Sequence, residues 1–320
     1  MKMNKTLGLG ILLLTLITAC NQTSKRQDSS QEMVKPSIGK EKIYKGVLNI
    51  GCDPGLQSVI NQEVEIFRYD HDSVQVNLEY KPEEELLNEF RKGSMSTIIL
   101  TRVLDAREIE NFKKDTIYIR QLSEASDAVA IIGNQKMDDS NLNMETLRSY
   151  INPKATSNIK VVFDRENKSV VNHVLKVLGY KNEASKSVYA TASPKEVFDY
   201  VETHTDAIGF IPYNLLSDTD DEQVKALLKR VKILSLTAKN QNGEGVRVSA
   251  NQSDIATGDY PLTRTVNAVT RFTYSDGLDW LFINFMAQSR GAKIFLKAGL
   301  IPTKMPERQI IVNSDGLKTN

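Results

Sequence analysis

Short apolar runs alternate with helically spaced apolar residues over most of this chain. Val47-Leu48-Asn49-Ile50 reads as a strand. Asp53-Pro54 then stand as the cap and first-turn residue of a helix. Its apolar face recurs at Leu56, Val59, Ile60, Val64 and Phe67. Val74, Val76, Leu78 and Tyr80 alternate, which predicts another strand. Pro82 opens a helix carrying Leu86, Leu87 and Phe90, and Gly93 can close it. Strands are predicted at 97–100, 128–132 and 159–163, and a helix bearing Val170, Val171, Val174, Leu175 and Leu178 ends at Gly179. Strands alternating with helices imply an α/β chain with parallel sheets covered on both faces. In such sheets ligands bind beyond the carboxyl ends of the strands. The middle, 134–258, has its own strand and helix signals, and long apolar runs return at 266–272, 278–286 and 294–300. No internal repeat is found, and the acidic run 218–222 reads as a solvated loop or helix start.

The first twenty residues follow a different pattern. Lys2 and Lys5 precede an apolar stretch, 7–17, that is shorter than the roughly 20 residues a bilayer span needs. Ile17-Thr18-Ala19-Cys20 then places small residues before a cysteine, the layout of a secretory signal. The cysteine at the cut resembles a bacterial lipobox, in which Cys20 is lipidated and becomes the new N-terminus. An ordinary signal peptide that contains a cysteine is the alternative. Residues 21–42 are polar and cannot bury a core, so they read as a flexible tether. The remaining length suffices for two modest domains or one large one. The whole chain carries a formal charge of +1, of which Lys2 and Lys5 supply two positive charges, leaving −1 in the mature chain. That balance gives no reason to expect nucleic acid. With Cys20 lipidated, Cys52 has no intrachain partner and reads as a buried, inert thiol.

The search for catalytic chemistry is mostly negative. His71, His173 and His204 fall in no metal-binding pattern, and neither a nucleophile elbow nor a phosphate loop is present. Gly243-Glu244-Gly245 reads as a turn. Two strand-to-helix turns are better suited to holding an anion: Gly51-Cys52-Asp53-Pro54-Gly55, and Asp164-Arg165-Glu166-Asn167-Lys168-Ser169. A helix start offers unpaired N–H groups and partial positive charge. In the second turn, Arg165, Asn167, Lys168 and Ser169 add side-chain donors. On spacing alone, the same residues also serve as simple helix caps. Arg102 follows Thr101 at a strand end, where its fork can bind two oxyanion oxygens or pair with Asp105 or Glu108.

Several segments carry a family resemblance. They are Thr101-Arg102-Val103-Leu104 with Glu108, Ala207-Ile208-Gly209-Phe210-Ile211, Gly258-Asp259-Tyr260-Pro261-Leu262-Thr263-Arg264, and Gly291-Ala292-Lys293-Ile294 through Gly299-Leu300-Ile301-Pro302. In this order, between Tyr44 and Val312, they resemble the PstS-like phosphate-binding proteins, periplasmic receptors of ABC importers, and especially their lipidated branch in Bacteroidetes. The resemblance implies a type II two-lobed periplasmic-binding-protein fold, with two mixed sheets flanked by helices and joined by two crossovers near 127–133 and 258–264. Residues 43–130 and 261–320 would form one lobe and 131–260 the other. The site it implies comprises Arg102, Thr101, Asp53, Gly55, Arg165, Asn167, Lys168 and Ser169, with no cofactor, no metal and no catalysis. Two departures fall on that site. Pro54 and Gly55 stand where the family has a hydroxyl residue, and Asn167-Lys168-Ser169-Val170 lacks the family's glycine and threonine. The implied function is a monomeric lipoprotein of the cell envelope, facing the periplasm or exterior, that captures inorganic phosphate or a related oxyanion for an ABC permease and ATPase. The alternative is the same fold repurposed as a non-transport sensor or an envelope-structural lipoprotein.

Overall fold

The computed structural model describes residues 44–152, 157–180, 188–271 and 277–306. The chain divides into two units, Met1–Lys42 and Ile43–Asn320, and all the described residues belong to the second. Residues 1–43, which include the expected signal segment, Cys20 and the expected tether, and residues 307–320 lie outside the described residues.

Strand β1 (Gly46–Cys52) leads into α1 (Gln57–Asp70), β2 (Val74–Tyr80), α2 (Glu83–Lys92) and β3 (Thr97–Leu100). The apolar stripe read from the sequence explains α1: Val59, Ile60, Val64 and Phe67 are all buried. Burying each such side chain contributes roughly 1.5–3 kcal/mol. Gly93 ends α2 in the left-handed conformation, φ 84°, which glycine adopts without steric cost. After α3 (Ala106–Lys114), strand β4 (Ile119–Asn134) runs for 16 residues. Then come α4 (Met144–Ile151), β5 (Lys160–Asp164), α5 (Lys168–Leu178), β6 (Val188–Thr191), α6 (Pro194–Thr203) and β7 (Ala207–Pro212). The acidic run supplies Asp221, the N-cap of α7 (Glu222–Arg230). Strand β8 (Val231–Ile233) precedes a two-stranded hairpin, β9 (Leu236–Lys239) and β10 (Gly245–Val248), with Gly243 in its turn and Gly245 opening β10. Helix α8 (Gln252–Thr257), β11 (Thr263–Arg271), α9 (Leu278–Ala287), α10 (Ser289–Lys297) and β12 (Ile301–Pro302) complete the order.

Strand β4 ties the architecture together. Its first part pairs antiparallel with β11, and its last residues pair with β7 and β8. The strand order is β2-β1-β3-β11-β4-β7-β5-β6, with parallel pairs on both wings and antiparallel pairs at the centre. The result is a mixed α/β sheet flanked by helices, the type II periplasmic-binding-protein fold.

The apolar cores divide on either side of this centre. One side holds two clusters, the first with Leu48, Ile50, Ile99, Ala125, Val266 and Phe295 and a smaller one around Phe90, Leu100 and Phe112. The other begins at Ala128 on β4 and includes Phe163, Phe210, Tyr260 and Leu262. The chain therefore crosses between two lobes just before Ala128 and again between Leu262 and Val266. Among the described residues, no helix is long and apolar enough to cross a membrane.

Candidate functional site

Both anion-suited turns end parallel strands and face each other between the lobes. Strand β1 stops at Cys52, and Asp53 caps the turn that follows: its Oδ1 accepts the amide of Gly55 at 2.9 Å. Pro54 occupies the first position, where no N–H is needed. On the other lobe β5 ends at Asp164, whose Oδ1 accepts the amide of Asn167 at 2.8 Å. The Asn167 Nδ2 also donates to the Asp164 carboxylate, at 3.0 Å to Oδ2. This pairing fixes the Asn167 amide, because only its nitrogen can donate to a carboxylate. The Asn167 Oδ1 is left buried and without a partner. Asn167 makes no side-chain cap bond to α5, so the helix start is not closed by its own cap.

Ser169, in the first turn of α5, bridges the gap. Its Oγ donates to Asp53 Oδ1 at 2.9 Å and accepts from Arg264 Nη1 at 3.4 Å. Arg264 comes from β11, where it stands directly opposite Asp127 of β4. Their Nε–Oδ2 ion pair of 2.8 Å is wholly buried and lies where both crossings occur. Arg264 Nη2 and Asp127 Oδ1 remain unpartnered. A Cβ placed on Gly55 would lie 3.1 Å from Asn167 Oδ1 and 3.3 Å from Arg264 Nη2. A side chain there would crowd these two groups and Asp53 Oδ1, 3.0 Å away, so glycine is what lets this turn approach Asn167 and Arg264 so closely. Asn214, from the turn after β7, donates its Nδ2 to Gly55 O at 2.8 Å and accepts Ser58 Oγ at 3.1 Å. A cavity of about 220 Å³ opens beside Pro54, Gly55, Asn167, Pro212 and Asn214.

The electrostatics are divided. Burial raises the carboxyls of Asp53 and Asp127, and the Arg264 charge opposes it in both. Burial, then the Arg264 charge, pulls His173 down to about 4, so it is neutral at pH 7. The cleft's positive charge accordingly rests on Arg264. Burial pushes the Cys52 thiol well up, which keeps it unreactive. Among the described residues, no three His, Cys, Asp or Glu side chains are grouped to hold a metal.

Of the residues singled out in the sequence, the structure brings Asp53, Gly55, Asn167 and Ser169 together. Thr101 is buried at the carboxyl end of β3. Arg102 is engaged otherwise: its Nη1 and Nη2 donate to Glu108 at 2.7 and 2.6 Å, and its Nε donates to Glu83 at 2.9 Å. Glu108 and Asp105 also form the capping box of α3. The ion-pair alternative therefore describes how Arg102 is used here. Arg165 and Lys168 are exposed. Arg264, Asp127 and Asn214 were not among the sequence candidates. Their signal was Arg264 itself, the last residue of the Tyr260-Pro261-Leu262-Thr263-Arg264 segment, set at a crossing.

The profile of the PBP superfamily domain matches residues 22–290. No curated protein matches the chain significantly. Solved structures do resemble it. A Clostridium perfringens substrate-binding protein, assigned to a phosphate ABC transporter and solved with bound phosphate, superposes with a TM-score of 0.64 at 17% identity, over 81% of this chain and 100% of that one. An ABC-type phosphate transport receptor from Vibrio cholerae gives 0.63 at 18%, over 80% and 100%. PstS from Borrelia burgdorferi gives 0.55 at 17%, over 83% and 100%. At these identities the likeness is one of fold.

Proposed function

We propose a function on the premise that the family match provides: this chain belongs to the PBP superfamily. On our reading it is a solute-binding protein, anchored outside the cytoplasm by lipid on Cys20, that captures inorganic phosphate or a related oxyanion for an ABC permease and ATPase. The observation that carries this reading is the buried Arg264, whose Nη2 has no partner and lies beside the Gly55 and Asn167 turns. An oxyanion oxygen there would accept from a charged donor, and such bonds are about twice as strong as neutral ones. The uncapped start of α5 would add amides and dipole from the second lobe. A ligand that touches both lobes favours the closed state. Selectivity follows because a donor left unpaired in this buried setting costs roughly 1–3 kcal/mol.

One observation favours a second reading, in which the fold is kept for a sensor or envelope-structural role. Asp53 already places a carboxylate on the Gly55 amide and the Ser169 hydroxyl, donors an oxyanion would use. Calorimetric titration with phosphate and sulfate separates the two readings. The transport reading expects heat with at least one oxyanion, and loss of that heat in Gly55→Ala, whose methyl would crowd Asp53, Asn167 and Arg264 and push the two turns apart. Silence with both anions would leave only the second reading.

A further inference from the structure

The cleft is not a closed pocket for a single small ion. The cavity of about 220 Å³ at Gly55 and Asn167 shares Ser58, Pro194, Asn214 and Leu215 with a neighbouring cavity of about 600 Å³. An inorganic phosphate ion occupies roughly two to three times the ~30 Å³ share of a water, so it fills only part of even the smaller space. The larger one is of the size that holds small organic ligands. Its walls come from both lobes: Gln62 of α1 and Ala298 on one side, Phe198 of α6 and Val224 and Leu227 of α7 on the other.

Two features define what this second space accepts. Val224 and Leu227 of α7 face the cavity; Leu227 also packs partly against the core of the second lobe, and both keep part of their apolar surface open to this space. The charges around the rim are matched internally. Arg230 pairs with Asp199 and Glu202, Lys195 with Asp199, and Lys297 with Asp218 at 3.8 Å. A second anionic group finds no unmatched cation among these three, whereas an uncharged apolar body finds a half-built wall. Where the two spaces join, Ser58 and Asn214 present polar atoms, suited to the point where a charged head meets an organic body.

We infer that the preferred ligand is a phosphate monoester carrying a small apolar group, with its phosphate at the Gly55 and Asn167 turns and its organic body against α7. This inference rests on the oxyanion reading and specifies its substrate class. The departure at Pro54 and Gly55 fits it: both residues line the smaller cavity, and neither carries a long side chain that would fill it.

The test is calorimetric titration of the full chain with inorganic phosphate, butyl phosphate and phenyl phosphate, repeated on Leu227→Glu and on Val224→Lys. Both positions are partly exposed, and thermal melting checks that each variant is folded. Burying several methylene-sized groups predicts esters that bind on the order of tenfold tighter than inorganic phosphate. Either variant should bring that ratio close to one. Inorganic phosphate binding as tightly as both esters, or an ester preference that both variants leave untouched, would overturn the inference while the oxyanion reading stands. Failure of all three anions to bind would overturn that reading, and this inference with it.

Discussion

Two arginines near the lobe junction show how position decides the use of the same side chain. Arg264 has Asp127 on its Nε, Ser169 on its Nη1 and nothing on its Nη2. Arg102 has carboxylates on all three nitrogens, and hydrogen bonding to Glu108 is the main cause that raises its already high pKa. A guanidinium saturated by two carboxylates has little to give a ligand. Arg264→Lys, which keeps a charge for Asp127 but removes the free Nη2, should therefore weaken oxyanion binding by about 1.5–3 kcal/mol, the range for a hydrogen bond involving a charged group. Arg102→Ala should change it by less than about 1 kcal/mol, as expected for a partly exposed ion pair. Calorimetry on the two variants checks the order, and a larger loss for Arg102→Ala would return that residue to the site. Asp53, Gly55, Asn167 and Ser169 were legible in the sequence because strand-to-helix turns are local. Arg264 was not, because its partner lies 137 residues away and the pairing depends on strand register.

At the scale of elements, the helical and strand periods located most of the architecture, and they failed where polar residues enter the interior. Only 128–132 of β4 was apparent, since its first half carries Arg120, Gln121, Ser123, Glu124 and Asp127. Glu63 lies on the apolar stripe of α1 and is fully buried. Both its carboxyl oxygens lack partners, as does Oε1 of Glu124. Burial, with Glu124 beside it, pushes Glu63 up to about 9. Burial pushes Glu124 up to about 8, against the pull of Lys304. Both are thus protonated in the native state and ionise near the ordinary 4.5 once unfolded. The native state binds more protons than the unfolded one between these limits, so stability is greatest below about 4.5 and falls as pH rises towards 8–9. Carboxylates held low by partners, such as Glu108, act in the opposite sense but only in acid below the ordinary range. The melting temperature should fall steadily between pH 5 and pH 9, and Glu63→Gln, neutral and of the same shape, should flatten much of that slope. A wild-type profile that is level or rises over this interval would contradict the assignment.

For the whole molecule, the structure has the lobes joined directly, through Ser169–Asp53 and through Asn214, which grips Gly55 and Ser58 across the gap. Among the described residues, the core around Phe163 and Phe210 is separate from the two clusters of the first lobe, around Phe67 and around Phe90, and the Asp127–Arg264 pair lies between them. Closure therefore rests on a few polar bonds and not on a shared core. Each such bond contributes about 0.5–1.5 kcal/mol net. Losing the two made by Asn214 shifts a two-state closure by about 1–3 kcal/mol, from about fivefold to about a hundredfold in population. Asn214→Ala should consequently enlarge the radius of gyration of the ligand-free protein in small-angle scattering, and a saturating oxyanion should restore the compact value by bridging the lobes itself. Association should also quicken, because less of the free protein must first open to admit the ligand. An unchanged radius in the variant would mean that the other bonds across the gap, such as Ser169–Asp53 and Ser217–Ala298, hold the lobes without Asn214, and its role in closure would be refuted.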